Sequence, residues 1–394
     1  MSRIRNQVAI VGVGYSDLAP HADKSLGALA IDACRTAISD AGLSVDDIDG
    51  ISNYPNASRI GGGEQDGIDI VSVKYIAQAL ALKQLSWSCS ITTGTIVASL
   101  VHAVNAVASG ACDTVLVWRG MFSPPGKFGS FRSTHVSGDA QFSAPYGFAS
   151  NVMIFAFAYA RYMAVYGATR EHMATYVVNA RINASINPQA VFHGKPITRQ
   201  DYLNARMIAD PLSLLDCDRP VDGCGALVVT TAERARHLPH RPAYVVGGTA
   251  GGFKFSHSPV LDLESCMESA QVVARALWKN VPGLAASDMD FANIYDGFSF
   301  FIYPWLEAFG FCNEGEAFEY IQDGRIARDG AMPLNPSGGA IGMGRLHGSP
   351  QLIEAVLQLQ GRAGARQLKK ADVTLANSGS PLGTGAVVLS NEAI

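Results

Sequence analysis

Short apolar runs alternate along this chain with segments of helical period. Residues 8–13 form a buried-strand run closed by Gly14. Residues 25–41 carry apolar side chains at helical spacing, with Ser25 as N-cap and Gly42 as stop. The pattern continues with a strand over 50–52, a glycine loop at 61–63, a helix over 70–82 and a strand over 85–90. A helix over 96–108, ended by Gly110, and a strand over 114–118 follow. Strand, helix and strand in this rhythm predict parallel pairing with a crossover. Residues 119–150 are rich in Gly, Ser, Pro and Phe and have no period. Such a long irregular stretch is expected to be functional or to cover a partner. Helices are expected over 150–166, 170–185 and 198–207, and a strand entered through glycines over 222–231.

From Ala243 the succession begins again. AYVVGGTAGG resembles VAIVGVGYSD, and LAASDMDFANIYDGFS follows LSVDDIDGISNYPNAS almost position for position. The turn and helix over 338–360 match those over 92–108. DVTLANSG matches DTVLVWRG, and GTGAVVLSNEA matches GCGALVVTTAE. Several elements recurring in one order mark an internal duplication. The expected halves are 1–240, with an insertion over 119–220, and 241–394.

Composition restricts the function classes. The chain has 394 residues, is 48% hydrophobic and 16% charged, and carries a net charge of −4. No basic excess and no interleaving of aromatic and basic residues point to nucleic acid. No run of ~20 apolar residues predicts a membrane span. Seven scattered cysteines with no CxxC pair suit a reducing cytosol and give no zinc signal, so a cytoplasmic protein without a metal is expected.

The stretch richest in chemistry is NPSGGAIGMGRLHGSP, residues 335–350. Its glycines allow tight turns and close backbone approach, and it carries Arg345 and His347 among them. Together with REHMATYVVNARINASINPQA, DYLNARMIADPLSLLDCDRPVDGCGALVV and NIYDGFSFFIYPWLEAFGFCNEGEA, this stretch resembles the thiolase superfamily. The likeness covers almost the whole chain. It is strongest to the branch of sterol-carrier-protein thiolases and lipid-transfer-like proteins. The resemblance implies an α/β fold of duplicated βαβαβαββ halves stacked as a five-layered α-β-α-β-α core, and a homodimer joined around residues 86–118.

The thiolase pattern is broken at its chemical positions. Counting back from Gly110, Thr93 stands where the family has its nucleophilic cysteine, with Cys89 four residues earlier as the alternative nucleophile. The loop over 376–380, with Asn377 and Ser378, carries no cysteine, and Arg345 stands where the family has a histidine. One branch lacks these cysteines: aldolases that remove steroid side chains with a small OB-fold (DUF35-type) partner. They rely on tyrosines, one in a YD-x-F segment that Tyr295, Asp296, Gly297 and Phe298 match; Arg345 replaces the second.

The resemblance therefore implies a retro-aldol lyase acting on a β-hydroxyacyl-CoA with a bulky, steroid or lipid-like acyl chain. Coenzyme A enters as part of the substrate, and no tightly bound cofactor is implied. The expected catalytic residues are Tyr295, His347, Arg345 and Asp296. Tyr295 is expected to act as base with its pKa lowered by Arg345 or protonated His347. The expected substrate-binding residues are Thr93, Gly94, Asn335, Gly338, Gly339, Gly348, Asn377 and Ser378. The rivals are an acyltransferase using Cys89 and a non-catalytic lipid-binding subunit of a DUF35-containing complex. His102, His135, His193, His257, Arg119, Lys127 and Arg132 are weaker candidates.

Overall fold

The computed structural model describes residues 4–54, 65–91, 94–122, 136–148, 150–252 and 262–394. Thr93, Lys127, Arg132, His135 and His257 lie outside these residues. The first half is built from β1 (Val8–Tyr15), α1 (Leu26–Asp40), β2 (Gly50–Asn53), α2 (Val73–Ala79), β3 (Trp87–Ser90), α3 (Thr95–Ala108) and β4 (Thr114–Met121). The insertion supplies α4 (Asn151–Tyr166), α5 (Arg170–Ser185), α6 (Arg199–Leu203) and the hairpin β5 (Met207–Ala209) and β6 (Leu212–Ser213). The chain then returns through β7 (Gly223–Thr231) and α7 (Ala232–Ala235). The second half holds β8 (Ala243–Thr249), α8 (Leu263–Asn280), β9 (Phe291–Asn293), α9 (Ile302–Phe309), α10 (Ala317–Tyr320), α11 (Gly339–Met343), α12 (Ser349–Leu359), β10 (Val373–Asn377) and β11 (Ala386–Ser390).

The element order follows the alternation in the sequence closely. Ser25 caps α1 by accepting from the Ala28 N–H, and Gly42 follows that helix at φ +68°, as expected. Residues 198–207 depart from expectation. A capping box between Thr198 and Asp201 starts α6, but the helix stops after Leu203 and the chain turns into the β5–β6 hairpin.

The large sheet has nine strands in the order β3-β2-β4-β7-β1-β8-β11-β10-β9. Its two sides mirror each other. On one side β2 pairs β4 in parallel, β4 pairs β7 antiparallel, and β7 pairs β1 antiparallel. On the other side β9, β10, β11 and β8 pair with the same senses. A short antiparallel contact, Ala9↔Tyr244 and Ile10↔Ala243, joins the halves at the centre.

Alternation along the strands explains the layers. Ile10, Leu227 and Val229 pack with Val245, Val387 and Leu389 of the other half against α3 and α12. Their sequence neighbours Ala9, Val11 and Val228 face α1 and α2. Val388, Leu375 and Ala292 face α8 and α9 instead. Each half-sheet is thus sandwiched between an outer helical layer and the shared helices α3 and α12, giving the expected five layers.

Candidate active site

The YDGF segment leaves the end of β9 and is held by the end of β10. The Tyr295 N–H donates to Asn377 Oδ1 at 2.8 Å. The Tyr295 ring, 5% exposed, stacks with Phe301 and folds back over Gly297. A strap over residues 217–220 runs between this segment and the 335–350 turn. Cys217 bridges Phe298, the Asp218 N–H donates to the Gly297 carbonyl at 3.1 Å, and the Arg345 N–H donates to the Arg219 carbonyl at 2.8 Å. These backbone bonds gather Asp218, Tyr295 and Arg345 into one site, with Arg119 of β4 close enough to act on Tyr295 and Arg345.

The electrostatics of this group depart from the sequence expectation. Tyr295 has cations beside it, yet its pKa lies well above the usual phenol value. Burial pushes it up and the Asp218 charge pushes the same way; Arg345 and Arg119 pull it down without overcoming this. Tyr295 is therefore a neutral phenol at rest, not a phenolate. Asp218, which the sequence did not single out, is the titratable group in the useful range. Burial pushes its carboxyl up to about 7, Arg345 holds it down, and Asp296 adds to the rise. A carboxyl poised near neutrality beside a tyrosine and a guanidinium is a ready proton acceptor.

Asp296, expected to be catalytic, is fully buried and holds the fold of the turn. Oδ1 accepts from the Ala340 N–H at 2.6 Å and from Gln351 Nε2 at 3.0 Å. Oδ2 accepts from the Tyr176 hydroxyl at 2.7 Å and from the Ile341 N–H at 3.3 Å. Burial raises this carboxyl to about 6, against the pull of its donors. The expected substrate-binding glycines also pack within the protein. An added Cβ on Gly339, at φ +62°, would run into the Asp296 carboxylate, and one on Gly348 would run into Ser378. Gly338 lies against Ala184. Asn335 is fully buried, and its Nδ2 donates to the Tyr176 hydroxyl and the Ile294 carbonyl, both at 2.7 Å.

The helix end at α3 is formed by Gly94 at φ +83° and Thr95 at φ +65°. Ser378 Oγ pairs with Thr95 Oγ1 and accepts from the Val97 N–H at 3.3 Å, so the 376–380 loop does meet this helix end. Cys89 lies in β3, the outermost strand on its side of the sheet. Its thiol is pushed up by burial, as are all the other six, so no cysteine has the lowered pKa of an activated nucleophile.

His347 stands at the far end of the turn, at φ +47°. Its Nδ1 lies 3.0 Å from Arg119 Nη2, and its ring is 6.2 Å from that of Tyr54. Among the described residues, no cluster of three His, Cys, Asp or Glu suited to a metal occurs. No helix there is long and apolar enough to cross a membrane.

Two mirrored half-sheets, a shared helical layer and a polar site at the ends of β9 and β10 define a thiolase-fold protein. Comparison with known proteins agrees. A profile described as Thiolase C-terminal domain-like matches residues 254–391. A 17-hydroxy-3-oxo-4-pregnene-20-carboxyl-CoA lyase of Mycobacterium tuberculosis is 34% identical over 98% of this chain and 100% of its own. A steroid side-chain-cleaving aldolase of Thermomonospora curvata is 32% identical over 99% of both chains. The solved structure of an Ltp2-ChsH2(DUF35) aldolase superposes with a TM-score of 0.88 at 30% identity, covering 98% of each chain. The chain belongs to the thiolase superfamily, in the branch that holds these aldolase-type lyases.

Proposed function

We propose that the protein cleaves a carbon–carbon bond of a β-hydroxyacyl-CoA thioester by a retro-aldol reaction. The observation that carries the reading is the grouping of Tyr295, Asp218 and Arg345 by the 217–220 strap. The β-hydroxyl proton of the substrate passes to the Tyr295 oxygen as the Tyr295 proton passes to the Asp218 carboxylate. The oxygen left behind forms a carbonyl, the Cα–Cβ bond breaks, and its electron pair moves to Cα as the enolate of the shorter acyl-CoA. Arg345 offsets the charge on the enolate oxygen, and the proton held on Asp218 returns through the Tyr295 hydroxyl to Cα, which restores both groups and completes the products, a ketone or aldehyde and an acyl-CoA. Coenzyme A is thus part of the substrate, and the names of the relatives support a steroid or similarly bulky acyl chain.

The raised pKa of every cysteine speaks against the acyltransferase reading through Cys89. A titratable acid set beside a tyrosine and an arginine favours catalysis over passive lipid binding. The DUF35-containing structural relative supports a small OB-fold partner, and the exposed edge of β3 supports a homodimer, together a heterotetramer. We assign the two halves to 1–240 and 241–394, and a cytoplasmic location to the assembly. The test is release of a ketone or aldehyde from a β-hydroxyacyl-CoA by the chain purified with its partner. Tyr295→Phe should abolish release while leaving the complex intact; full activity in that variant would sink the assignment.

A further inference from the structure

Arg119 is 1% exposed, at the end of β4. Its Nη1 donates to the Tyr54 carbonyl at 2.8 Å, and its guanidinium carbon lies 4.6 Å over the Tyr54 ring. Its Nη2 lies 2.8 Å from Met121 Sδ and 3.0 Å from His347 Nδ1. The last contact fixes the chemistry of the histidine. A guanidinium has five N–H donors and no acceptor, so Nδ1 must offer its lone pair. In a neutral imidazole the single proton then sits on Nε2. The other neutral tautomer, with its proton on Nδ1, would lose the Arg119 hydrogen bond, and a second proton there would also set a cation against the buried guanidinium.

Several contacts keep this arrangement rigid. Arg119 cannot withdraw, because Tyr54 and Met121 hold the other faces of its guanidinium. His347 is held between Leu346, fully buried, and Gly348, packed on Ser378. Its left-handed backbone is strained for a residue other than glycine, and the surrounding turn maintains it.

We propose that Arg119 is a positioning residue that holds His347 as the neutral ring with its proton on Nε2. His347 then serves as a hydrogen-bond donor to the thioester oxygen, and proton transfer falls to Tyr295 and Asp218 alone. The donor role rests on the lyase reading above; the state of the ring does not. A donor that keeps one proton throughout holds the developing enolate charge without adding a proton step of its own.

The experiment is a long-range ¹H–¹⁵N spectrum of the full chain labelled with ¹⁵N-histidine, with His347 assigned by the signals lost in His347→Gln. The expected result is an unprotonated Nδ1 and a protonated Nε2, unchanged between pH 8 and pH 6, where exposed histidines gain charge. In Arg119→Met the ring should populate both tautomers and titrate, with kcat falling on the order of 10-fold or more and KM changing less. Arg119→Lys, which retains a donor, should restore the tautomer and part of kcat. A wild-type ring protonated on Nδ1, or one that charges between pH 8 and pH 6, overturns the proposal, and this reading needs only the assignment variant, His347→Gln, to fold. The expected spectrum with unchanged kcat in His347→Leu, whose side chain has no donor, removes the donor role. The expected spectrum in a protein that cleaves no β-hydroxyacyl-CoA leaves the assignment of the ring standing and rejects only the lyase reading.

Discussion

The backbone N–H of Asp218 donates to the Gly297 carbonyl at 3.1 Å, and this bond ties the acid of the site to its tyrosine. With Arg345 bound to the next residue of the same strap, the carboxyl feels the Arg345 guanidinium, and its charge acts on the Tyr295 phenol. Its charge state sets whether the Tyr295 proton has somewhere to go. Asp218 titrates at about 7 and accepts only when ionised, so kcat/KM should rise as pH climbs through about 7 and level above it. Asp218→Asn should flatten that limb and lower kcat on the order of 100-fold. A rate profile with the same limb in Asp218→Asn removes Asp218 from the reaction.

The same carboxyl weakens the fold at high pH. Its pKa in the folded protein is raised from 3.8 to about 7, so the folded state binds the proton more tightly than the unfolded chain. Stability from this group is fully present below the unfolded value and is lost as pH rises through about 7. At pH 8 the ionised group carries its burial cost, and Asp218→Asn removes it. The variant should melt higher than wild type at pH 8, by an amount on the order of 1 kcal/mol or more, with a smaller gain at pH 5. Thermal unfolding of the two proteins at both pH values checks this, and an equal or lower melting point at pH 8 contradicts it.

The parts of the fold that repeat were legible in the sequence, because strand and helix periods are local. The mirrored half-sheets and Tyr295 beside the 335–350 turn came from those periods and from the family likeness. Asp218 was not legible: DCDRP reads as an ordinary polar stretch, and its meaning comes from distant pairing with Gly297 and Arg345. The direction of the Tyr295 shift was also hidden. Sequence shows the cations near a tyrosine, but not that burial outweighs them. The buried hydrogen bonds of Asp296 were hidden for a related reason. Its position beside Tyr295 suggested chemistry, while its four hydrogen bonds are made to Tyr176, Gln351 and the α11 backbone.

That role gives Asp296 a different signature from Asp218. Asp296→Ala would leave the Ala340 and Ile341 N–H groups and the Tyr176 hydroxyl buried without an acceptor. The expected loss of stability is about 3 kcal/mol or more. Gly339→Ala should fail in a similar way, because its Cβ meets that carboxylate and its φ of +62° suits glycine. Denaturant unfolding separates the two acids: Asp296→Ala loses stability and activity together, whereas Asp218→Asn loses activity alone.

Cysteine chemistry should be dispensable. Cys89 lies in the outermost strand β3, and burial pushes its thiol up rather than down. Cys89→Ser should retain cleavage within about twofold, since a small, partly buried residue replaces another. Treatment of the wild type with iodoacetamide at pH 7.5 should likewise leave the rate unchanged. Loss of activity on alkylation that Cys89→Ser prevents would return the acyltransferase reading.

Residues 136–148 and the outer face of α4 leave a run of apolar side chains in solvent. Phe142 is 64% exposed, Tyr146 84%, Met153 39% and Phe157 52%. Phe148 packs edge-on against Phe157 at 6.4 Å, so the two segments form one surface. Single exposed apolar residues are ordinary, but a joined aromatic patch of this kind suits a protein interface. We predict that the small OB-fold partner of the proposed complex docks here, away from the β3 edge proposed for the homodimer. Phe157→Glu together with Tyr146→Asp should abolish co-elution of the partner in size-exclusion chromatography. The melting point of the chain alone should not fall, since both side chains are exposed in it. The homodimer should also persist. Retention of the partner by the double variant would move its site elsewhere, and loss of the homodimer instead would exchange the two assignments.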